Sequence, residues 1–157
     1  FVALDPNLRP PLIDEMDGYR DRLDEAVAMA DWVKASEEDL AVLHPGVNPV
    51  VAIQRWRGGG RTLVLTQGAE GAQLWTADGH HAVQPVARAG AVIDTVGAGD
   101  TFQAATLAWL WYANALHTAL TPGMARDLLA FAARAAALNC ARTGCQPPTR
   151  DEVAQRR

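Results

Sequence analysis

Lysine is nearly missing from this 157-residue chain: Lys34 stands alone among fourteen basic residues. Its position excludes a phosphate loop ending in Gly-Lys-Ser/Thr, because no lysine follows any of the glycine runs. Basic clusters are lacking too. The arginines are scattered, the formal net charge is −4 and the pI is 5.5, which excludes a nucleic-acid face or an anionic-membrane surface. No apolar run approaches the roughly 20 residues of a membrane-spanning helix, and the first residues lack the charged-then-apolar layout of a signal peptide. A cytoplasmic protein is the expectation. Cysteine is scarce, and Cys140 and Cys145 with His44, His80, His81 and His117 make no zinc spacing, so idle reduced thiols are expected. Methionine does not open the chain; Phe1 does, inside the strand-like run Phe1-Val2-Ala3-Leu4.

What is present suits one α/β domain over residues 1–157, with 49% hydrophobic residues to build its core. The run to Leu4 reads as a buried strand stopped by Asp5-Pro6-Asn7-Leu8-Arg9-Pro10-Pro11, where the prolines forbid ladder and helix alike. A helix is predicted from Met16 to Ala30, with Tyr19, Leu23, Val27 and Ala30 on one stripe. Trp32 to Ala35 reads as a strand. Ser36-Glu37-Glu38-Asp39 then opens a helix, with Ser36 as cap and acids in the first turn. A helix from Pro49 to Trp56 is stopped by Gly58-Gly59-Gly60. Thr62 to Thr66 is an apolar strand of the kind covered on both faces, and a tight turn leads to a second strand and a hairpin at Asp78-Gly79. Ala82 to Val86 and Val92-Ile93 read as short edge strands. A helix from Gly97 to Leu116 is expected to be central, with apolar residues around much of its circumference, and an Ala-rich helix follows from Pro122 to Arg142.

The stretch Asp94-Thr95-Val96-Gly97-Ala98-Gly99-Asp100-Thr101-Phe102 is a loop entering that central helix. First-turn backbone N–H groups lack intrahelical partners and carry the positive end of the helix dipole, so such a loop can hold phosphate. Ordinary capping explains the same spacing equally well. A dinucleotide fingerprint is excluded, because Phe102 stands where its third glycine would be. Asp100 would repel a neighbouring phosphate unless it serves a metal ion or accepts a proton. A general base for an attacking hydroxyl fits that requirement.

The whole nonapeptide resembles the second signature of the ribokinase-like, or PfkB, carbohydrate kinases, Asp-Thr-x-Gly-Ala-Gly-Asp-x-Phe. The resemblance covers nearly the whole chain and implies the three-layer ribokinase-like α/β fold, a mostly parallel central sheet covered by helices. It also implies that the chain is the C-terminal, nucleotide-binding portion, with the N-terminal half absent and the isolated piece inactive. By resemblance, Asp100 is the catalytic base and Gly97, Ala98 and Gly99 form the anion hole. Thr66, Gly68 and Gly71 match a Thr-x-Gly-x-x-Gly that contacts the nucleotide. Asp5, Asn7 and Arg9 match an Asp-x-Asn-x-Arg segment on the sugar and phosphate side of the cleft. Asp94 and Val96, with Asn139, Arg142 and Gly144, match a monovalent-cation site. Ser36 and Asp39 replace an Asn-x-x-Glu that organises magnesium through water. The implied activity is ATP-dependent phosphorylation of a sugar, fructose first, with 2-keto-3-deoxygluconate, ribose or nucleosides as alternatives. A non-catalytic nucleotide-binding module is the rival from another class. ATP, Mg2+ and K+ are the implied cofactors, and a homodimer the implied state of the full-length protein.

Overall fold

The computed structural model describes residues 1–155. A five-stranded sheet runs in the order β1 (Ala3–Leu4), β2 (Trp32–Ser36), β3 (Thr62–Thr66), β4 (Ala72–Trp75), β5 (His81–Gln84). The first three strands are parallel, and β4 and β5 add an antiparallel extension. The crossovers explain this division. The β1–β2 and β2–β3 connections contain α1 (Met16–Met29) and then α2 (Glu37–Leu43) with α3 (Pro49–Gln54), long enough to return the chain in parallel, whereas β3–β4 and β4–β5 are hairpins.

Side-chain alternation along the strands sorts the core into two layers. Val33, Ala35, Leu63 and Leu65 pack against Leu23 and Val27 of α1, Leu40 and Leu43 of α2, and Ile53 of α3. Trp32, Val64, Ala72 and Leu74 face the opposite way, onto α4 (Ala98–Tyr112) and α5 (Pro122–Cys140). The result is the three-layer α/β/α arrangement. Ile53 and Leu128 are wholly buried in the two layers, and cutting either to Ala would cost about 2–5 kcal/mol. A short α6 (Arg150–Ala154) closes the chain against α5, with Arg134 Nε donating to the Val153 carbonyl.

Two expectations need correction. Val92 and Ile93 form no strand; they are 72% and 61% exposed, and the Ile93 and Asp94 N–H groups both donate to the Cys140 carbonyl at the end of α5. The β-branched pair tethers a loop instead of extending the sheet. Helix α4 ends at Tyr112, not Leu116, because Asn114 takes a left-handed φ of 53° and the Ala115 N–H reaches back to the Leu110 carbonyl. Thr101, Phe102, Thr106 and Leu110 are buried, and Ala105 and Trp109 pack against the same core, while Trp111 and Tyr112 at its end are 70% and 60% exposed.

Candidate active site

Because β1, β2 and β3 are parallel, their C-terminal ends bring Asp5, Ser36 and Thr66 to one edge, the usual ligand side of an open α/β sheet. The N-terminus of α4 meets the same edge. A Cβ at Gly99 would lie 3.4 Å from Lys34 Nζ, so the lysine of β2 lies close to the first turn of α4.

That first turn is open. Its N-cap, Gly97, is left-handed at φ 73° and has no side chain to cap with. The Ala98 N–H donates to the Thr95 carbonyl at 3.1 Å, but the N–H groups of Gly97, Gly99 and Asp100 have no backbone acceptor among the described residues. Asp100 is exposed, and its carboxylate takes no hydrogen bond among those residues. An uncapped helix start with free N–H groups can receive an anion, and an unengaged carboxylate beside it can receive a proton. Gly97 is required for a reason that motif spacing does not show. Its Cβ would fall 2.2 Å from Cys145 Sγ, so the thiol packs directly on the loop.

The loop is held from behind. Asp94 Oδ1 accepts from the Val96 N–H and Oδ2 from the Gly144 N–H, at 3.0 and 2.9 Å. These two bonds, Val96 first, hold its carboxyl below the ordinary carboxylate range. Asn139, fully buried, donates from Nδ2 to the Val96 carbonyl and accepts the Gln146 N–H at Oδ1. Asp94, Val96, Asn139 and Gly144 therefore come together. The Arg142 side chain donates to the Gln146 carbonyl and pairs with Glu152.

Thr66 ends β3, and the 3-10 turn Gly68–Glu70 follows it, with Gly68 at φ 48° and Gly71 at φ 101°. A Cβ on Gly71 would sit 2.1 Å from the Gln84 carbonyl, so this glycine lets the turn close on the end of β5. Glu37 flanks the turn, and burial, then Glu38 and Glu70, push its carboxyl above the ordinary range.

The Asp5–Arg9 segment divides. Arg9 folds back onto its own loop, donating to the carbonyls of Asn7 and Leu8 and to Asn7 Oδ1. These bonds all use Nη1 of Arg9, an exposed residue. Asp5 turns inward to Lys34, with Oδ2 at 2.7 Å from Nζ. Asp39 holds this segment in place, accepting the Leu8 N–H at Oδ1 and the Ser36 N–H and hydroxyl at Oδ2. Its oxygens serve a capping box and a loop tether. No group of three His, Cys, Asp or Glu among the described residues could hold a metal ion. Lys34 is the residue that motif reading passed over; its partner lies 29 positions away.

A parallel sheet edge, an uncapped glycine helix start and a free carboxylate thus meet at one end of this α/β protein. The profile of the pfkB family carbohydrate kinases matches residues 2–152, and the chain belongs to that family. A fructokinase from Rhizobium leguminosarum bv. trifolii is 40% identical over 116 residues, covering 73% of this chain and 35% of the relative. The Klebsiella pneumoniae fructokinase is also 40% identical, over 114 residues, 70% of this chain and 36% of its own. Among solved structures, Vibrio cholerae fructokinase with fructose, ADP and calcium ion superposes with TM-score 0.78 at 30% identity, covering 98% of this chain and 49% of that one. Aminoimidazole riboside kinase from Salmonella enterica, complexed with aminoimidazole riboside and an ATP analog, gives 0.83 at 26% identity, covering 98% and 51%. The chain thus spans about a third of the length of these curated relatives.

Proposed function

We propose that this chain is the nucleotide-binding portion of an ATP-dependent sugar kinase whose acceptor is fructose. The observation that carries the proposal is the open start of α4, where the N–H groups of Gly97, Gly99 and Asp100 have no protein acceptor among the described residues and the exposed Asp100 carboxylate, in the same turn, takes no hydrogen bond there. In this reading the amides, rather than Ala98's engaged N–H, stabilise charge on the transferred phosphoryl group. Asp100 takes the proton of the sugar hydroxyl. Thr66, Gly68 and Gly71 receive the nucleotide, and Asp5 lies on the substrate side. ATP supplies the phosphoryl group, with magnesium neutralising its charge. Potassium beside Asp94, Val96, Asn139 and Gly144 would reinforce the clip behind the loop. Asp39 contributes by fixing the Asp5–Pro11 segment.

Support for fructose comes from the fructokinase relatives at 40% identity. The test uses a polypeptide of the relatives' full length that contains this segment, assayed for ADP release with fructose, ribose, 2-keto-3-deoxygluconate and a nucleoside. Preference for fructose, abolished by Asp100→Asn, is the expected result. Nucleotide binding without turnover of any acceptor would instead make the chain part of a binding module.

A further inference from the structure

Lys34 is an unusual residue to find where it stands. It occupies the middle of a central parallel strand, its side chain is 5% exposed, and β2 alternation aims it with Trp32 toward the α4–α5 layer. There it lies close to Gly99 in the first turn of α4, with Nζ 3.4 Å from where a Cβ on that glycine would sit, at the positive end of the helix, where a cation is disfavoured. Asp5 offsets this with a 2.7 Å ion pair, yet the pair is half satisfied. An ammonium carries three donors, and among the described residues Asp5 is the one acceptor Lys34 has. Asp5 Oδ1 is also buried and has no partner. Burial raises the Asp5 carboxyl above its ordinary range; Lys34 pulls it back down, and Asp39 and Asp100 push it up again. Lys34 is thus the cation amid three acids at this edge. A buried, half-satisfied ion pair is costly for stability alone, since apolar replacements of similar volume are often as good or better.

We propose that Lys34 is a phosphate-binding residue, its ammonium held by Asp5 against the start of α4 so that its unused donors, together with the Gly99 and Asp100 amides, grip the terminal phosphate of ATP. The inference rests on the kinase reading above. During transfer the bond from phosphorus to the leaving oxygen breaks, the bond to the sugar oxygen forms, and the hydroxyl proton passes to Asp100. Lys34 keeps its protons throughout. Asp5 acts as the positioning residue that sets where the ammonium lies.

Because the chain has a single lysine, labelling with [13C,15N]lysine gives one side-chain signal in the intact 157-residue chain. Titrated with Mg·ATP, that signal should move saturably, in step with the backbone amides of residues 66–71, and should stay still with AMP, which lacks the terminal phosphates. The paired variant Asp5→Asn with Lys34→Met removes both charges and leaves no buried ion unpaired. It should weaken Mg·ATP by about tenfold to a hundredfold, the range of one charge-assisted hydrogen bond, while leaving AMP affinity unchanged. Amides at 66–71 that shift while the lysine signal does not would overturn the role of Lys34 and leave the nucleotide reading standing. No shift at either place would overturn both.

Discussion

Helices α2 and α4 begin with an acid at the same position, three residues after the N-cap, and the two acids have opposite fates. At α2, Ser36 caps, Asp39 closes the box, and its oxygens also tether Leu8; at α4, Gly97 has nothing to cap with and Asp100 is exposed and unbonded. The satisfied terminus is scaffold. The other leaves its first-turn N–H groups free for a ligand, at the cost of roughly 0.5–2 kcal/mol of forgone capping.

The sharpest way to break this comparison is to neutralise each acid in turn. In a full-length kinase containing this segment, Asp100→Asn should cut turnover by about two to four orders of magnitude while leaving the melting temperature unchanged. Near-normal turnover would remove Asp100 from the chemistry. Asp39→Ala should do the reverse, costing about 1–3 kcal/mol of stability through the lost box and the stranded Leu8 N–H. A melting temperature that did not move would show that the buried network is not structural.

Next in size comes Gly97→Ala, which forces a left-handed φ on a side chain and drives its Cβ into Cys145 Sγ. A loss of about 1–3 kcal/mol is expected. Adding Cys145→Gly should recover part of it, and strict additivity in the double-mutant cycle would refute the contact.

The smallest effect concerns the clip behind the loop. Asp94 has a folded pKa depressed below 3.8 by the Val96 and Gly144 N–H groups, so its contribution is fully present above that value and is lost as pH falls through the depressed one. Asp94→Asn should therefore flatten the stability curve below about pH 3.8 and leave its shape near neutrality unchanged. An unaltered acid limb in chemical denaturation would count against the clip.

Much of this was legible locally. Ser36 and Asp39 announced a capped helix, and Thr62 to Thr66 announced a buried strand. The nonapeptide from Asp94 to Phe102 announced a loop entering a helix, and left open whether its start was capped. What could not be read depends on residues far apart in the chain. Lys34 meets Asp5 only because β1 and β2 lie side by side in parallel register. Cys145 reaches Gly97, and the Cys140 carbonyl captures Ile93 and Asp94, only once α5 has packed along α4. Val92-Ile93 therefore looked like a strand by composition, and tertiary tethering overrode that preference. The end of α4 lies at Asn114, which like glycine tolerates the left-handed conformation that stops a helix, a signal outweighed by the apolar run on either side of it.

The central claim is that the start of α4 is open for phosphate while the start of α2 is closed. Amide chemical shifts in the uniformly 15N-labelled chain, followed during titration with Mg·ATP, test both termini in one measurement. Large saturable shifts are expected at Gly97, Gly99 and Asp100, with Glu37, Glu38 and Asp39 moving little. Saturable shifts elsewhere in the chain, with residues 97–100 unmoved, would contradict it.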